Sequence, residues 1–541
     1  MKPRIEPHLL EPNAAQLAVN TRLWSGGIGT FKEPGLVTTL SKSGTIRSIY
    51  RFGKKLDDDK RFWFHFLNDA DVTRGPIPDD TQERTYYTEA GQPPMVTDAT
   101  MATSDGLMPS AGYRLGVPAP TAPAAVTVTQ VGKAQGNLER QSCVLAYTFV
   151  SGWGEEGPPN KVSNPFDAMT GDKINVTGLQ GPPTGAYNIK HKRLYISVTD
   201  LTGSATLRFW KEIAAGETRY SADLDMTALG EALPQNAMLP PPADLFGIMA
   251  HPGGFLVGFS GQQVYRSETF KPYGWPYFSP LADDIVGGAI LGQATVICTK
   301  GGTYMATQAD PVTFTPILLD GWQPCVSKRS ITILQGGVIY ASPDGLVGVD
   351  QTGVLRVLTE GIMTRDEWQG YKPESMLAVA HDGRVWIFYD NGTRRGGLIL
   401  EVAPDGVGLI ETDIHATAAY ADERRDALFL VVGPGKLHKW DGGRRAMSMV
   451  WKSRCFIAER PQNIGAAMVI AEKYPVTFEL RAIIRNDGGE REIVIKKTVA
   501  NGRPFRMGGN YRAREFSFTV SGVNAVREVV LASTLGNITA E

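Results

Sequence analysis

The chain has 541 residues, enough for about two to four domains. Its 55 Lys and Arg against 56 Asp and Glu leave a net charge of −1, which argues against a strongly basic nucleic-acid-binding or membrane-surface protein. Sixty glycines and 35 prolines are scattered between short apolar runs and form no low-complexity block. This composition favours an all-β chain with many turns.

Residues 1–115 are predicted to be an N-terminal β segment that contributes to contacts of the main scaffold or of a ring. Residues 36–40 and 45–50 are strand-like on either side of a Ser-Gly turn, and the aromatic run 62–67 predicts a buried strand. Residues 68–112 are polar and rich in turn residues. We expect them to make a long excursion over a surface or across to a neighbouring subunit.

Residues 53–60 are predicted to form a charged hairpin tip. Its acidic triplet, Asp57-Asp58-Asp59, offers carboxylates to a metal, but a solvated loop is the favoured interpretation.

Residues 116–242 are predicted to be an inserted domain, because proline-rich segments at 118–123 and 240–242 enclose them. Short strand-like runs recur at intervals of roughly 10–15 residues, beginning with 126–129 and 143–150. This spacing is typical of a fibronectin III or immunoglobulin-like sandwich.

Residues 243–450 contain a recurring glycine-rich turn between runs of β-branched and aromatic residues. Asp-Gly and Gly-Gly supply the positive φ angles that tight hairpins need, and hairpins repeated every roughly 35–50 residues indicate a β-propeller. The turns lie at 251–254, 300–302, 335–337, 343–345, 381–383, 404–406 and 433–435.

Residues 451–541 are predicted to be a C-terminal β block, acting as a platform or closing the propeller. Apolar and charged residues alternate in 478–484, 492–495, 515–520 and 526–531. Such alternation is typical of strands with one face in a core and the other face in water or against a partner.

The sequence contains no recognisable motif for catalysis or cofactor binding. The segment 26–29 lacks the lysine and hydroxyl residue of a phosphate loop, and no nucleophile elbow or zinc-protease motif occurs. The four cysteines are far apart and are interpreted as buried free thiols: Cys143, Cys298, Cys325 and Cys455. We therefore predict no catalytic residues, no cofactor, no metal and no enzymatic activity.

Several isolated polar residues in the propeller region could carry chemistry, although structural roles are favoured for all of them. Three histidines could meet at one mouth of the channel, and a ring of Asp-Gly carboxylates could bind calcium. A short cluster of two acidic residues and a tryptophan could act as in a glycosidase. These residues are His251, His381 and His415; Asp344, Asp382 and Asp405; and Asp366-Glu367-Trp368. Four basic pairs could face DNA or an acidic partner, but solvated loops are favoured: Lys328-Arg329, Arg394-Arg395, Arg424-Arg425 and Arg444-Arg445.

An aromatic loop is the candidate interface. Five aromatic residues fall within nine positions that also hold two prolines, which is too irregular for a strand. The loop either packs onto the propeller core or is buried against another chain. Its aromatic residues are Phe270, Tyr273, Trp275, Tyr277 and Phe278.

Three segments, 11–34, 255–276 and 511–531, resemble the tail nozzle, or tubular tail, proteins of short-tailed bacteriophages. The resemblance covers most of the chain except residues 117–242. It implies a hexameric ring that contacts the head-to-tail adaptor and the tail fibres and conducts double-stranded DNA without sequence-specific binding. It also implies a structural protein of the virion tail with no catalytic residue.

Other expectations follow from the N-terminus and the hydropathy. The polar N-terminus indicates that there is no secretory signal. The sequence has no apolar run of some 18 residues, so we expect no membrane-spanning helix. We therefore expect synthesis in the host cytoplasm and location in the virion. The alternative function is a propeller that binds or cleaves carbohydrate, which would gather carboxylates and aromatic residues at one mouth of its channel.

Overall fold

The computed structural model describes residues 1–12, 14–23, 26–53, 58–131, 140–199, 205–234, 238–403, 406–486 and 489–539. Two compact units are present. Unit 1 comprises residues 1–67, 296–305 and 318–541, and unit 2 comprises residues 68–295 and 306–317. Strands dominate both units, so the prediction of an all-β chain with a propeller scaffold is confirmed.

Unit 1 contains three antiparallel sheets built as four-stranded blades. Their first strands lie side by side and are followed by the first strand of an N-terminal hairpin. This radial succession is the arrangement of a β-propeller. The blades are Thr332–Leu334, Gly337–Ser342, Gly345–Asp350 and Leu355–Val357; Leu377–His381, Arg384–Asp390, Arg395–Ala403 and Gly406–Thr412; and Ala418–Asp422, Ala427–Val431, Lys436–Lys439 and Gly35–Thr39. The hairpin is Ser48–Arg51 with Trp63–Phe66.

The glycine-rich turns connect neighbouring strands of these blades, as the sequence predicts. Gly336 and Gly383 have φ angles of 79° and 71°, in the left-handed region where a side chain would be strained. The turn expected at Pro404-Asp405 lies outside the described residues.

The last blade of unit 1 is completed by the N-terminal segment. Gly35–Thr39 pairs antiparallel with Lys436–Lys439, and Leu437 is opposite Thr38. The blade's inner residues, Phe429 and Val431, share a core with Ile46 and Trp63 of the preceding turn and hairpin. Residues 1–67 are thus part of the scaffold of unit 1.

The C-terminal block continues the preceding blade through one strand. Ala15–Val19 pairs in parallel with Gly406–Thr412 and antiparallel with Met449–Ser453, which makes a single ten-stranded sheet. The sheet continues through Ala513–Gly522, Val476–Asn486 and Gly489–Val499, and Phe456–Gln462 pairs beside it. A second sheet contains Phe505–Arg506, Ala466–Ala471 and Val526–Ala532. Both sheets contribute to one core, including Val469 and Phe478.

Unit 2 contains two four-stranded sheets whose first strands are adjacent. They are Ala70–Arg74, Thr85–Glu89, Met95–Thr97 and Tyr113–Arg114; and Phe246–His251, Phe255–Ser260, Gln263–Arg266 and Tyr277–Pro280. Residues 68–112 therefore differ from the expected surface excursion. Their few apolar side chains suffice because Tyr86 and Val96 share a core with Leu256 and Trp275 of the second sheet.

The inserted domain is a sandwich, as predicted. One sheet is Ala125–Thr129, Lys173–Thr177 and Arg219–Asp223, and the other is Leu145–Ser151, Ile189–Thr199 and Ala205–Ala214. Gln141–Cys143 pairs with Phe166–Ala168. Tyr147, Ile174 and Leu194 are buried between the sheets.

The remaining elements are short. The helix Arg365–Gly370 has a capping box, in which Thr364 and Glu367 each accept from the other's backbone N–H. The other short elements are the two-stranded pair Thr21–Arg22 and Gly29–Thr30; the α-helices Ala99–Ala102 and Gly536–Thr539; and the 3₁₀ turns Met226–Ala228, Lys328–Ser330, Pro373–Ser375 and Glu423–Arg425. The boundary between the two units falls in a segment with four further strands: Ile285–Leu291, Ala294–Thr299, Thr303–Ala306 and Ile317–Leu318.

Candidate functional site

The aromatic loop of unit 2 is divided between core and surface. Trp275 is 2% exposed, and its Nε1 donates to the Pro272 carbonyl at 2.9 Å. Tyr273 and Tyr277 are half-buried. The Tyr277 hydroxyl donates to Glu268 Oε2 at 2.8 Å, and its pKa is raised to about 12, first by burial and then by Glu268. Trp275 and Tyr277 favour the interpretation of a loop packed on the core.

Phe270 and Phe278 are the exposed members of the loop, at 54% and 57%. Phe278 lies on Tyr277–Pro280, the edge strand of its sheet. Phe270 has a φ of 55°, and its backbone N–H donates to the Gly254 carbonyl at 2.7 Å. A Cβ at Gly254 would lie 2.7 Å from the Phe270 ring, so this glycine permits the ring's close approach.

Val312, another exposed apolar residue, is not grouped with these two rings. The Arg266 guanidinium joins the neighbouring Pro311 to the strand, because its Nε donates to the Pro311 carbonyl at 2.9 Å and its Nη1 to Ser279 Oγ at 2.8 Å. Ser279 and Phe278 are consecutive in the strand, so their side chains point to opposite faces of the sheet. We call the two exposed residues Phe270 and Phe278 the aromatic edge.

A cavity of about 570 Å³ opens in unit 1 where the chain enters successive inner strands. Its walls come from the segments before the strands Ser48–Arg51, Leu377–His381 and Ala418–Asp422, from the 3₁₀ turn Lys328–Ser330, and from the connection between the strands Arg384–Asp390 and Arg395–Ala403. Four cationic residues line it: Arg47, Arg329, Lys372 and Arg395. Arg329 and Arg395 belong to two of the basic pairs singled out in the sequence, whereas Arg47 and Lys372 carry no local signal.

Three other side chains of the basic pairs form ion pairs. Arg394 Nη2 pairs with Glu411 Oε2 at 2.7 Å. Arg424 Nε lies 3.4 Å from Asp422 Oδ1, and Arg425 Nη1 lies 3.2 Å from Asp59 Oδ1.

The acidic triplet of the hairpin tip contributes to ion pairs. Asp59 also pairs with Arg51 at 3.1 Å, and Asp58 pairs with Arg61 at 3.5 Å. Asp57 lies outside the described residues. The described carboxylates of this tip thus neutralise arginines.

The three propeller-region histidines have separate environments. His251 Nε2 is 2.9 Å from the Gln293 carbonyl oxygen, and its ring stacks on Phe255. His381 accepts through its carbonyl from Trp386 Nε1 at 3.2 Å. His415 lines the cavity of unit 1. Burial is the main cause that lowers the pKa of each imidazole.

The candidate carboxylates stabilise turns and a helix. Asp344 pairs with Arg365 at 3.2 Å, and Asp382 pairs with Arg384 at 2.7 Å. Asp405 lies outside the described residues. Asp366 is in the first turn of the helix that Glu367 caps, and Trp368 is buried with its Nε1 donating to the Ser342 carbonyl at 2.8 Å. The described residues contain no group of three or more His, Cys, Asp or Glu arranged to hold a metal.

The four cysteines are buried free thiols, which confirms their interpretation. Contact with the Cys325 thiol, followed by burial, raises the pKa of Cys298. No helix within the described ranges is long and apolar enough to cross a membrane.

Comparison with known proteins gives no family-model match and no match among curated proteins. Among solved structures, BamB from Moraxella catarrhalis is 13% identical, with 58% of this chain and 97% of that chain covered at a TM-score of 0.26. Citrobacter koseri AztD is 10% identical, with coverages of 70% and 98% and a TM-score of 0.27. An exo-β-1,3-galactanase from Phanerochaete chrysosporium is 11% identical, with coverages of 53% and 95% and a TM-score of 0.20. Likenesses this weak carry no argument about function.

Proposed function

We propose that the chain is a structural subunit of a short-tailed bacteriophage tail. In this proposal it is a nozzle or tube subunit that forms a hexameric ring, conducts the genome during ejection and docks the adaptor and the tail fibres. It acts without catalysis, is made in the host cytoplasm and is located in the virion. The resemblance of residues 11–34, 255–276 and 511–531 motivates the proposal.

The aromatic edge is the observation that supports the proposal most directly. Phe270 and Phe278 are each more than half exposed, and large apolar side chains at a surface are typical of a region that another protein covers. Phe278 also lies on an unpaired edge strand, and such an edge offers backbone groups to a neighbouring chain. A ring contact would bury both features.

The C-terminal block supports the conduit part of the proposal through its outer strand. Gly489–Val499 forms the end of the ten-stranded sheet and is largely exposed. Its side chains mix charges, with Glu490 and Glu492 alongside Arg491, Lys496 and Lys497. Each phosphate that a surface neutralises adds affinity for DNA, so a surface of mixed charge holds a passing duplex less tightly than a basic one.

The assembly state of the purified chain tests the proposal. We expect analytical ultracentrifugation and negative-stain microscopy to show rings, alone or after addition of the adaptor ring. Phe278→Glu should abolish ring formation and leave the melting temperature unchanged, because the side chain is exposed in the isolated chain. Gln262→Glu is the matched control, since Gln262 is an exposed residue of the turn between the strands Phe255–Ser260 and Gln263–Arg266 of the same sheet. It should assemble normally.

A strict monomer that also fails to join the adaptor ring would contradict the proposal. Normal ring formation by Phe278→Glu would leave the ring intact and would refute only the aromatic edge as its contact.

The cavity in unit 1 is the observation that favours the alternative function, a carbohydrate-binding or carbohydrate-cleaving propeller. Its lining includes two carboxylates, Glu374 and Asp390, and one aromatic residue, Phe388. Release of reducing sugar from a glycan panel would support cleavage. Such release, lost in Asp390→Asn, would replace the structural proposal.

A further inference from the structure

The cavity in unit 1 carries an excess of positive charge. Four cationic side chains line it against the two carboxylates Glu374 and Asp390. Arg47 and Lys372 are exposed, and neither side chain makes an ion pair within the described ranges. Unpaired cations that converge from separate segments on one cavity attract an anion, since hydrogen bonds between ionised groups are stronger than those between neutral groups.

The walls around these cations are held by hydrogen bonds. Arg329 Nη2 donates to the Arg47 carbonyl at 2.8 Å and to the Thr417 carbonyl, which ties three wall segments together. Ser327 Oγ donates to the Met376 carbonyl at 2.7 Å, and Ser375 Oγ to the Lys372 carbonyl at 2.8 Å. The backbone positions of Arg47 and Lys372 are thereby set before any ligand arrives.

The carboxylate of Asp390 is also held in place. Its Oδ1 accepts from the Gly392 N–H at 3.0 Å, and its Oδ2 from Arg395 Nε at 2.7 Å. The Gly392 N–H is the main cause that lowers the pKa of Asp390, so the group is ionised at neutral pH and acts only as an acceptor. Such an acceptor suits ligand hydroxyls better than a ligand anion.

His415 and Thr417 also belong to the cavity wall. Nδ1 of His415 and Oγ1 of Thr417 are buried atoms, so these two residues shape the wall and do not present these atoms to a ligand. The imidazole of His415 hydrogen-bonds the backbone of Tyr389 and Gly396. Burial lowers its pKa, so the imidazole is neutral at pH 7 and adds no positive charge to the cavity.

We propose that this cavity binds a small hydroxylated anion, namely a sugar carrying a phosphate or carboxylate group. The anionic group would bind Arg47 and Lys372, and the hydroxyls would bind the carboxylate of Asp390. A volume of about 570 Å³ lies within the usual range of small-molecule pockets. The inference concerns the single chain and is independent of the proposed ring.

Titration calorimetry on the full chain tests this site with four probes: glucose 6-phosphate, glucuronate, glucose and inorganic phosphate. We expect glucose 6-phosphate or glucuronate to saturate one site with a Kd below about 1 mM. Glucose, which lacks the charge, should bind at least about tenfold more weakly. Raising the salt concentration should weaken binding, because exposed cations are screened.

Side-chain substitutions locate the binding. Lys372→Gln should weaken the preferred probe about tenfold, and Lys372→Gln with Arg47→Gln about 50-fold or more. Lys473→Gln is the matched control, because Lys473 is an exposed lysine of the C-terminal block. It should bind as the parent does. All variants should keep the parent's melting temperature, which shows that the fold is intact.

Three results would overturn the inference. The first is that neither acidic sugar saturates a site. The second is that the double variant binds as tightly as the parent. The third is that inorganic phosphate binds as tightly as glucose 6-phosphate. The last result would reduce the site to one for a bare anion.

Discussion

The ion pair between Arg51 and Asp422 joins the N-terminal hairpin to the last blade of unit 1. The two side chains are 0% and 1% exposed, and Arg51 Nη1 lies 3.2 Å from Asp422 Oδ2. The same Nη1 is 3.1 Å from Asp59 Oδ1, and Nη2 donates to the Asp58 carbonyl at 2.8 Å. The guanidinium also lies 5.5 Å from the Trp63 ring. Removing Asp422 would therefore leave a buried charge with one partly exposed carboxylate.

We predict that Asp422→Asn lowers the free energy of unfolding of unit 1 by about 2–3 kcal/mol. Loss of one partner of a buried ion pair typically costs about 3–5 kcal/mol, and Asp59 compensates part of it. Arg51→Met combined with Asp422→Leu should recover most of the loss, because an apolar pair of similar volume needs no desolvated charge. Glu472→Gln should cost less than about 0.5 kcal/mol, since its pair with Arg527 is exposed.

Urea unfolding followed by tryptophan fluorescence measures these changes, and amide hydrogen exchange locates them. Exchange should rise in Ser48–Arg51 and Ala418–Asp422 of Asp422→Asn and stay unchanged in the strands of unit 2. An effect of Asp422→Asn no larger than that of Glu472→Gln would refute the argument. A double variant less stable than Asp422→Asn would refute the apolar replacement.

Two further predictions concern unit 2. Lys192 is fully buried, its Nζ donates to the Glu217 carbonyl at 2.6 Å, and burial lowers its pKa to about 8. Its charge thus destabilises the folded sandwich below pH 8, and this penalty disappears as the pH rises towards the unfolded value of 10.5. Lys192→Met should therefore stabilise the sandwich at pH 7, by at most about 3 kcal/mol. This gain in the free energy of unfolding should be smaller at pH 10. A gain or loss that does not change with pH in urea titrations would be contrary to this reasoning. In the aromatic loop, Trp275→Ala should lower the free energy of unfolding by about 3–5 kcal/mol, since it empties a core position. Phe278→Ala should change it by no more than about 0.5 kcal/mol in the same measurement. Equal losses would be inconsistent with a loop that is divided between core and surface.

The strand and turn pattern was predictable because it depends on neighbouring residues. Gly336 and Gly383 occupy left-handed positions that the chain needs at hairpins, and the sequence marks both. Residues 68–112 show the limit of this reasoning. Their low apolar content indicated no independent core, but Tyr86 and Val96 pack against residues more than a hundred positions away.

The candidate sites were predictable only in part. Five clustered aromatic residues marked the loop, yet burial of Trp275 and exposure of Phe278 depend on the sheet that lies beneath them. The basic pairs likewise marked Arg329 and Arg395. Their meeting with Lys372 in one cavity depends on the packing of three separate chain segments, of which the one with Arg395 begins the third strand of its blade.

The sequence by itself determined the all-β class, the hairpin turns and the inserted sandwich, because φ preferences and side-chain alternation act over a few residues. The tertiary structure alone decided that Gly35–Thr39 completes a blade with Lys436–Lys439 and that Ala15–Val19 joins a blade to the C-terminal block. A strand's backbone donors and acceptors are the same in every sequence, so they do not determine which other strand it pairs with. The partner is selected by the burial that the whole chain achieves.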